Sequence, residues 1–285
     1  MERKHRALLL ALPTVLTLLF FFVAPMVYIL VHTLHENGLS DFVNFFSDPF
    51  YRNILWVTFR VSLVSTAISL VLGYPTAFYM ARTKSRMKQV MMIVILFPFL
   101  VSAVVRSYGW MVILGTNGLL NQLFQKLGII ALYNSITGSN LEYFSMMNTQ
   151  GAVVLGMVYN YLPFMILPIY SVIVKLDYSL LEAARDLGAN NVTVFRKVIL
   201  PLSLPGVLSG ITMVFVPSVS TFAISRMLGG GTELLLGDLI ERQFLGGAYN
   251  PQLGAAISLV MMIIVVICML VMNRFGEGEE QAVML

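Results

Sequence analysis

Six apolar stretches dominate this sequence, at about 7–31, 54–81, 89–103, 150–174, 202–224 and 252–272. Crossing a hydrocarbon layer about 30 Å thick takes roughly 20 apolar residues in a helix. In that medium the backbone must satisfy its own hydrogen bonds, so such stretches fold as helices. The third stretch is the shortest; Pro98 and Arg106 interrupt it, and a further apolar piece runs to Leu114. Composition agrees: 58% of the 285 residues are apolar and 11% charged, against about 45–50% and about 25% in soluble domains. A water-soluble enzyme is thereby excluded, and an integral membrane protein with an all-α bundle of six spans is expected.

The first stretch follows Met1-Glu-Arg-Lys-His-Arg6, a basic start like that of a signal peptide. Its apolar run is longer than the roughly 7–15 residues of a cleaved signal, and no A-x-A site follows, so an uncleaved anchor is expected. Lysine and arginine then set the orientation. Arg3, Lys4, Arg6, Arg82, Lys84, Arg86, Lys88, Lys175, Arg185, Arg196, Lys197 and Arg274 fall on one side. Arg52, Lys126, Arg226 and Arg242 fall on the other. The positive-inside rule places both termini in the cytoplasm of a multi-pass cell-membrane protein. The single Cys268 lies in an apolar run, which excludes a disulfide framework or a cysteine metal site. Residues 276–285 are acidic and lack apolar periodicity, and are expected as a mobile tail. The outer segment 116–149, with an amphipathic piece at Leu119, Leu120, Leu123, Phe124 and Leu127, is expected on the outer surface.

The cytoplasmic loop between the fourth and fifth spans carries the most specific pattern. Ser179 and Glu182 have capping-box spacing and predict a helix start there. Leu180, Ala184 and Leu187 give that helix an apolar face. Gly188 sits where a left-handed residue would stop it. Asn190 or Asn191 can cap a second helix that ends at Pro201.

Glu182-Ala183-Ala184, three residues, Gly188, nine residues and Val198-Ile199-Leu200-Pro201 together resemble the EAA loop of ABC importer permeases. Further motifs resemble the spermidine/putrescine permease branch: Gly73-Tyr74-Pro75-x-Ala77, Phe97-Pro98-Phe99, Arg106-x-Tyr108-x-Trp110, Leu162-Pro163-Phe164-Met165 and Met227-Leu228-Gly229-Gly230. The resemblance covers about 53–272 within one permease domain over 1–285. Arg226 departs from it, since an acid often stands in that outer stretch.

The resemblance implies the type I importer fold, with loop 175–206 forming coupling helices that seat in an ATPase cleft. Glu182, Ala183, Ala184, Asp186, Gly188 and Pro201 would carry that coupling. Implied partners are two ATP-binding subunits, a second homologous permease and an extracytoplasmic solute-binding protein. The implied cargo is spermidine or putrescine, with an aminophosphonate, thiamine or ferric iron as other cargoes of such importers.

The residues exclude other chemistries. No G-x-x-x-x-G-K-[ST], H-E-x-x-H or G-x-S-x-G occurs. The chain is therefore expected to be no enzyme, to hold no metal or cofactor and to bind no nucleic acid; ATP and Mg²⁺ would sit on the partner ATPase. None of the 14 acids falls in an expected span, which argues against a gradient-driven transporter, since such proteins use intramembrane acids.

Arg60 and Arg106 are the cations nearest the hydrocarbon. Each either faces a cavity or partner, or snorkels to the outer interface. Tyr108, Trp110, Tyr159 and Tyr161 could line a route for an amine by cation–π contact, or form the aromatic belt at the membrane surface. Asn160, Pro163, Pro217, Ser218, Ser220 and Thr221 lie in or near mid-span, where proline frees a carbonyl and small polar groups line a path or join helices. Gly206-x-x-x-Gly210 reads as helix packing.

Overall fold

The computed structural model describes residues 12–36, 39–231, 234–247 and 249–283. The described residues are helical, with no strand among them. Five helices pass as spans by length and apolarity: α1 (Leu12–Val31), α3 (Pro49–Arg82), α8 (Gln150–Ile173), α10 (Asn191–Ser220) and α13, which is apolar over Pro251–Met272 and continues to Val283. A sixth candidate is a pair, residues 86–100 and 103–126, bent by 96°. It takes in α4 (Ser85–Leu96) with the tight turn Phe97–Leu100, then α5 (Ala103–Leu114) and the short helix that follows it. The break falls at Val101–Ser102, where Val101 turns extended directly after the tight turn that holds Pro98.

Shorter helices fill the connections: α2 (Ser40–Ser47), α6 (Leu119–Lys126), α7 (Ile129–Thr137), α9 (Tyr178–Asp186), α11 (Ala223–Leu228) and α12 (Leu236–Leu245). The chain, expected as one domain, forms two compact units: residues 1–53 with 239–263, and residues 54–238 with 264–285. In the first, Phe45 is buried and stacks on Tyr51 at 5.7 Å. Also within it, Gly254 closes on the Gln243 side chain, where a Cβ would come within 2.8 Å.

The second unit holds the candidate site residues. Its centre is the packing of α8 on α10. Gly206 and Gly210 let the backbones meet: a Cβ on Gly206 would lie 2.9 Å from the Pro168 carbonyl, and one on Gly210 3.1 Å from the Met165 carbonyl. The G-x-x-x-G spacing is thus a packing device, as the sequence suggests. Helix α3 adds a buried face of small and hydroxyl residues, Thr58, Ser62, Ser65, Ser69, Gly73 and Ala77, at three- and four-residue spacing. Ser65 donates to the Met157 sulfur at 3.4 Å, and Tyr74 shares a 2.8 Å hydrogen bond with Ser203 on α10. Asn121 pins the outer segment, exchanging hydrogen bonds with Phe144 at 2.9 and 3.0 Å.

Two expectations change. The fifth span starts earlier than residue 202 and stops at Ser220, because Thr221 turns extended and α11 begins afresh at Ala223. Pro201 does not end the second loop helix. A π-helical turn over Phe195–Ile199 precedes it, so the widened backbone accommodates the ring and the helix runs on to Ser220. The backbone of α13 stays helical through the acidic segment as far as Val283.

Candidate functional site

Two clusters gather the candidate residues, one in the loop 175–206 and one where α5, α8 and α10 converge. In the loop, α9 is capped by Asp177, whose carboxylate accepts the Ser179 amide at 2.9 Å. This corrects the assignment of the start to Ser179: the helix begins at Tyr178, and the earlier acid caps it through the Ser179 amide and adds charge at the positive helix end. The contact holds the Asp177 carboxyl below its ordinary value.

At the other end, Gly188 adopts φ +83. The Gly188 amide donates to the Arg185 carbonyl at 2.8 Å, and the Ala189 amide to that of Ala184 at 3.1 Å. This double closure is the Schellman arrangement and needs a left-handed residue at its corner. Asn190 then caps α10, accepting from the Thr193 amide at 2.8 Å.

The apolar stripe of α9 divides between two directions. Leu181 is buried and packs with Val194 and Ile199, and Ala184, Phe78 and Phe195 close that cluster. Leu180 and Leu187 point outward, Leu187 with 89% of its surface exposed. Glu182, Ala183, Asp186 and Gly188 are exposed as well. The loop is therefore anchored to its own chain by one apolar face while a second stays open beside Glu182 and Ala183. Pro201, the last residue of the pattern, is exposed at the root of the long helix.

In the second cluster, the Tyr161 hydroxyl on α8 donates to the Pro217 carbonyl of α10 at 3.4 Å and hydrogen-bonds Thr221. Arg106 on α5 lies within electrostatic reach of that hydroxyl. Its guanidinium sits 5.5 Å from the Phe99 ring centre, and Nε and Nη1 are buried without a hydrogen-bond partner. Trp110 meets Tyr159 edge-on at 5.4 Å. The structure thus joins Arg106, Tyr161, Pro217 and Thr221.

Of the other expected path residues, only Ser220 reaches that cluster, through the Pro217 carbonyl. Ser218 is buried and bonds its own helix at Val214, and Ser220 bonds back to Val216 and Pro217. Asn160 is buried, with Nδ2 on the Gly156 carbonyl at 2.8 Å and Oδ1 unpartnered. Pro163 is buried two residues beyond Tyr161. Tyr108 is exposed, as a surface-belt residue would be. Arg60 is exposed and hydrogen-bonds Gln150 at the start of α8.

The sequence pattern for an inner-membrane component of binding-protein-dependent transport systems matches residues 69–278. The chain belongs to that family. Its match takes in the coupling loop, α8 and α10, so both clusters lie inside the family region, and the protein is an ABC importer permease with several membrane spans. It is 36% identical over 270 residues to the spermidine/putrescine transport system permease protein PotB of Haemophilus influenzae, covering 91% of this chain and 90% of that one. To PotB of Escherichia coli it is 38% identical over 227 residues, or 80% and 78%.

Solved structures agree on the permease fold. A chain of the bacterial alginate ABC transporter superposes with TM-score 0.76 at 16% identity, covering 96% of this chain and 95% of that one. A chain of the MetNI methionine ABC transporter gives 0.56 at 18%, covering 80% and 94%.

Two features of this permease escape a motif search. One is the buried hydroxyl face of α3, where Ser62 and Ser69 have no side-chain partner; its only sequence signal is serine and threonine at helical spacing. The other is Asp238, an acid only 4% exposed that accepts the Leu235 amide at 3.0 Å. Its neighbour Gly237 lies against the Ser220 and Thr221 carbonyls, 2.9 Å from the former if it carried a Cβ.

Proposed function

We propose that this permease forms half of the translocation path of an ATP-driven polyamine importer, carrying spermidine or putrescine. Similarity to PotB over nine-tenths of the chain is the observation that supports this cargo. An amine needs π faces, carbonyls and hydroxyls along its way, and the helix break at Thr221 offers all three through Tyr161, Pro217 and Ser220. The buried Asp238 beside that break supplies the carboxylate whose lack in the spans counts against a cationic cargo. In this reading Arg106, Tyr108, Trp110, Asn160, Tyr161, Pro163, Ser218, Ser220 and Thr221 belong to the path.

The chain does no covalent chemistry and holds no cofactor or metal; ATP and Mg²⁺ bind two partner ATPase subunits. A second homologous permease completes the path, and an extracytoplasmic binding protein delivers the cargo. Both termini face the cytoplasm, in keeping with the basic loops.

Glu182, Ala183, Ala184, Asp186, Gly188 and Pro201 couple the permease to the ATPase. Helix α10 is unbroken from the loop to the path, 30 residues or about 45 Å. Movement of α9 on the closing ATPase therefore reaches Pro217 and Thr221 through one rigid rod, with the π turn at its root as the place to flex.

The test is uptake of labelled spermidine and putrescine by cells lacking this gene and every other polyamine system. Uptake restored by the gene is expected. Uptake that stays absent removes polyamines as the cargo and leaves the importer class.

A further inference from the structure

Two cavities of the second unit share one residue, Lys88. The first, of about 250 Å³, lies at the root of the coupling loop and is lined by Arg82, Lys88, Phe78, Ile173, Leu181 and Ile199. The second, of about 620 Å³, is an open groove along Met92, Ile93, Leu96 and Leu100 with Lys88 at its end. The groove is almost wholly apolar, while the cavity holds both cations.

Arg82 and Lys88 differ from their basic neighbours. Arg82, Lys84 and Arg86 are all exposed and Lys88 is half-buried. The difference is an aromatic face: Arg82 lies over the Phe78 ring at 4.1 Å, and Lys88 over the Tyr170 ring at 5.2 Å. Neither pairs with a carboxylate among the described residues. Two cations held on aromatic faces, lining one cavity without an acid, call for an anion from outside the chain.

We propose that an anionic phospholipid of the cytoplasmic leaflet binds here, its phosphate between Arg82 and Lys88 and an acyl chain along α4 to Leu100. The dimensions fit one lipid. Lys88 to Leu100 spans about 18 Å of helix, close to one leaflet of a hydrocarbon core about 30 Å thick. A basic pocket that shares Lys88 with an apolar groove also matches how membrane proteins select anionic headgroups. The leaflet follows from the orientation given under Proposed function. Because Leu181 and Ile199 line the headgroup cavity and also seat α9, the lipid braces the coupling loop from beneath.

The test uses the complete importer in phosphatidylethanolamine nanodiscs carrying a trace of tail-photoactivatable lipid, either phosphatidylglycerol or phosphatidylethanolamine. Labelling of residues 89–100 is read by mass spectrometry. The glycerol probe is expected to label that segment about thirtyfold more than the ethanolamine probe, the scale of two basic residues against an anionic headgroup. R82Q/K88Q is expected to abolish the preference, and R82K/K88R to keep it. If R82Q/K88Q fails to assemble, the comparison of the two probes on the unaltered importer decides alone.

Equal labelling by both probes overturns the proposal. So does loss of the preference when inorganic phosphate is added, which makes the cavity a soluble-anion site. Absence of any label also overturns it, because the groove is then covered by protein. Labelling needs no transport: its failure in an importer that still takes up polyamine removes the lipid site alone. Normal labelling without polyamine uptake removes the cargo alone.

Discussion

The Ala189 amide reaches back over Gly188 to the Ala184 carbonyl at 3.1 Å, closing the C-terminal end of α9. That single closure fixes how the exposed face of α9 is presented. Nothing lies within 4 Å of the position a Gly188 Cβ would take. The demand at this corner is therefore conformational: a left-handed backbone costs an L-residue about 1–2 kcal/mol.

The two leucines of α9 separate anchoring from docking. Leu181→Ala empties a buried seat shared with Val194 and Ile199 and is expected to cost about 2–5 kcal/mol, lowering the thermal midpoint of the detergent-solubilised importer. Leu187→Ala removes an exposed side chain. It is expected to leave that midpoint unchanged and to reduce the ATPase subunit recovered with the permease. A lowered midpoint for Leu187→Ala would mean that both leucines anchor.

Helix packing sets a second expectation. Gly206→Val places methyl groups against the Pro168 carbonyl and the Ile169 Cα, where even a Cβ comes within 2.9 and 3.1 Å. Forced separation of α8 from α10 is expected to cost about 1–3 kcal/mol or more. It should also abolish uptake, because the Tyr161 contact with Pro217 crosses the same interface. Gly206→Ala should be milder in both thermal shift and uptake.

The spans were legible because length and apolarity leave a chain in hydrocarbon little choice but helix. Pro98 likewise announced the bend in the third span. Gly188 was readable as a left-handed stop, since few residues serve there. The rest depended on choices between near-equivalent signals. Asp177 and Ser179 can both cap, and only the backbone path decides for Asp177. Pro201 looks like a terminator, and a π turn, which has no compositional mark, carries the helix through it. Convergence of Arg106, Tyr161 and Thr221 joins three distant segments, so no local pattern could reveal it. The hydroxyl face of α3 was hidden for another reason: serine and threonine at helical spacing serve helix contacts and solute paths alike.

Protonation should loosen the loop. The Asp177 carboxyl titrates below its ordinary value of 3.8 because the charged form accepts the Ser179 amide. Its contribution to α9 is therefore full above the unfolded value and is lost as pH falls through the lower, folded one. Hydrogen exchange of α9 amides, corrected for intrinsic rates, should accelerate over that acid range. Asp177→Asn caps without titrating, and its α9 exchange should lack that step. Identical profiles would place the cap elsewhere.

In the proposed function, the loop from Asp177 to Pro201 transmits ATPase closure to the path. ATP hydrolysis is to be compared with polyamine uptake in proteoliposomes holding the complete importer with Gly188→Asp. That change puts a charge and a strained residue at the corner of the exposed face. The variant is expected to insert, assemble and hydrolyse ATP while taking up no polyamine. Uptake per ATP equal to that of the unaltered importer would mean that this loop does not couple the two.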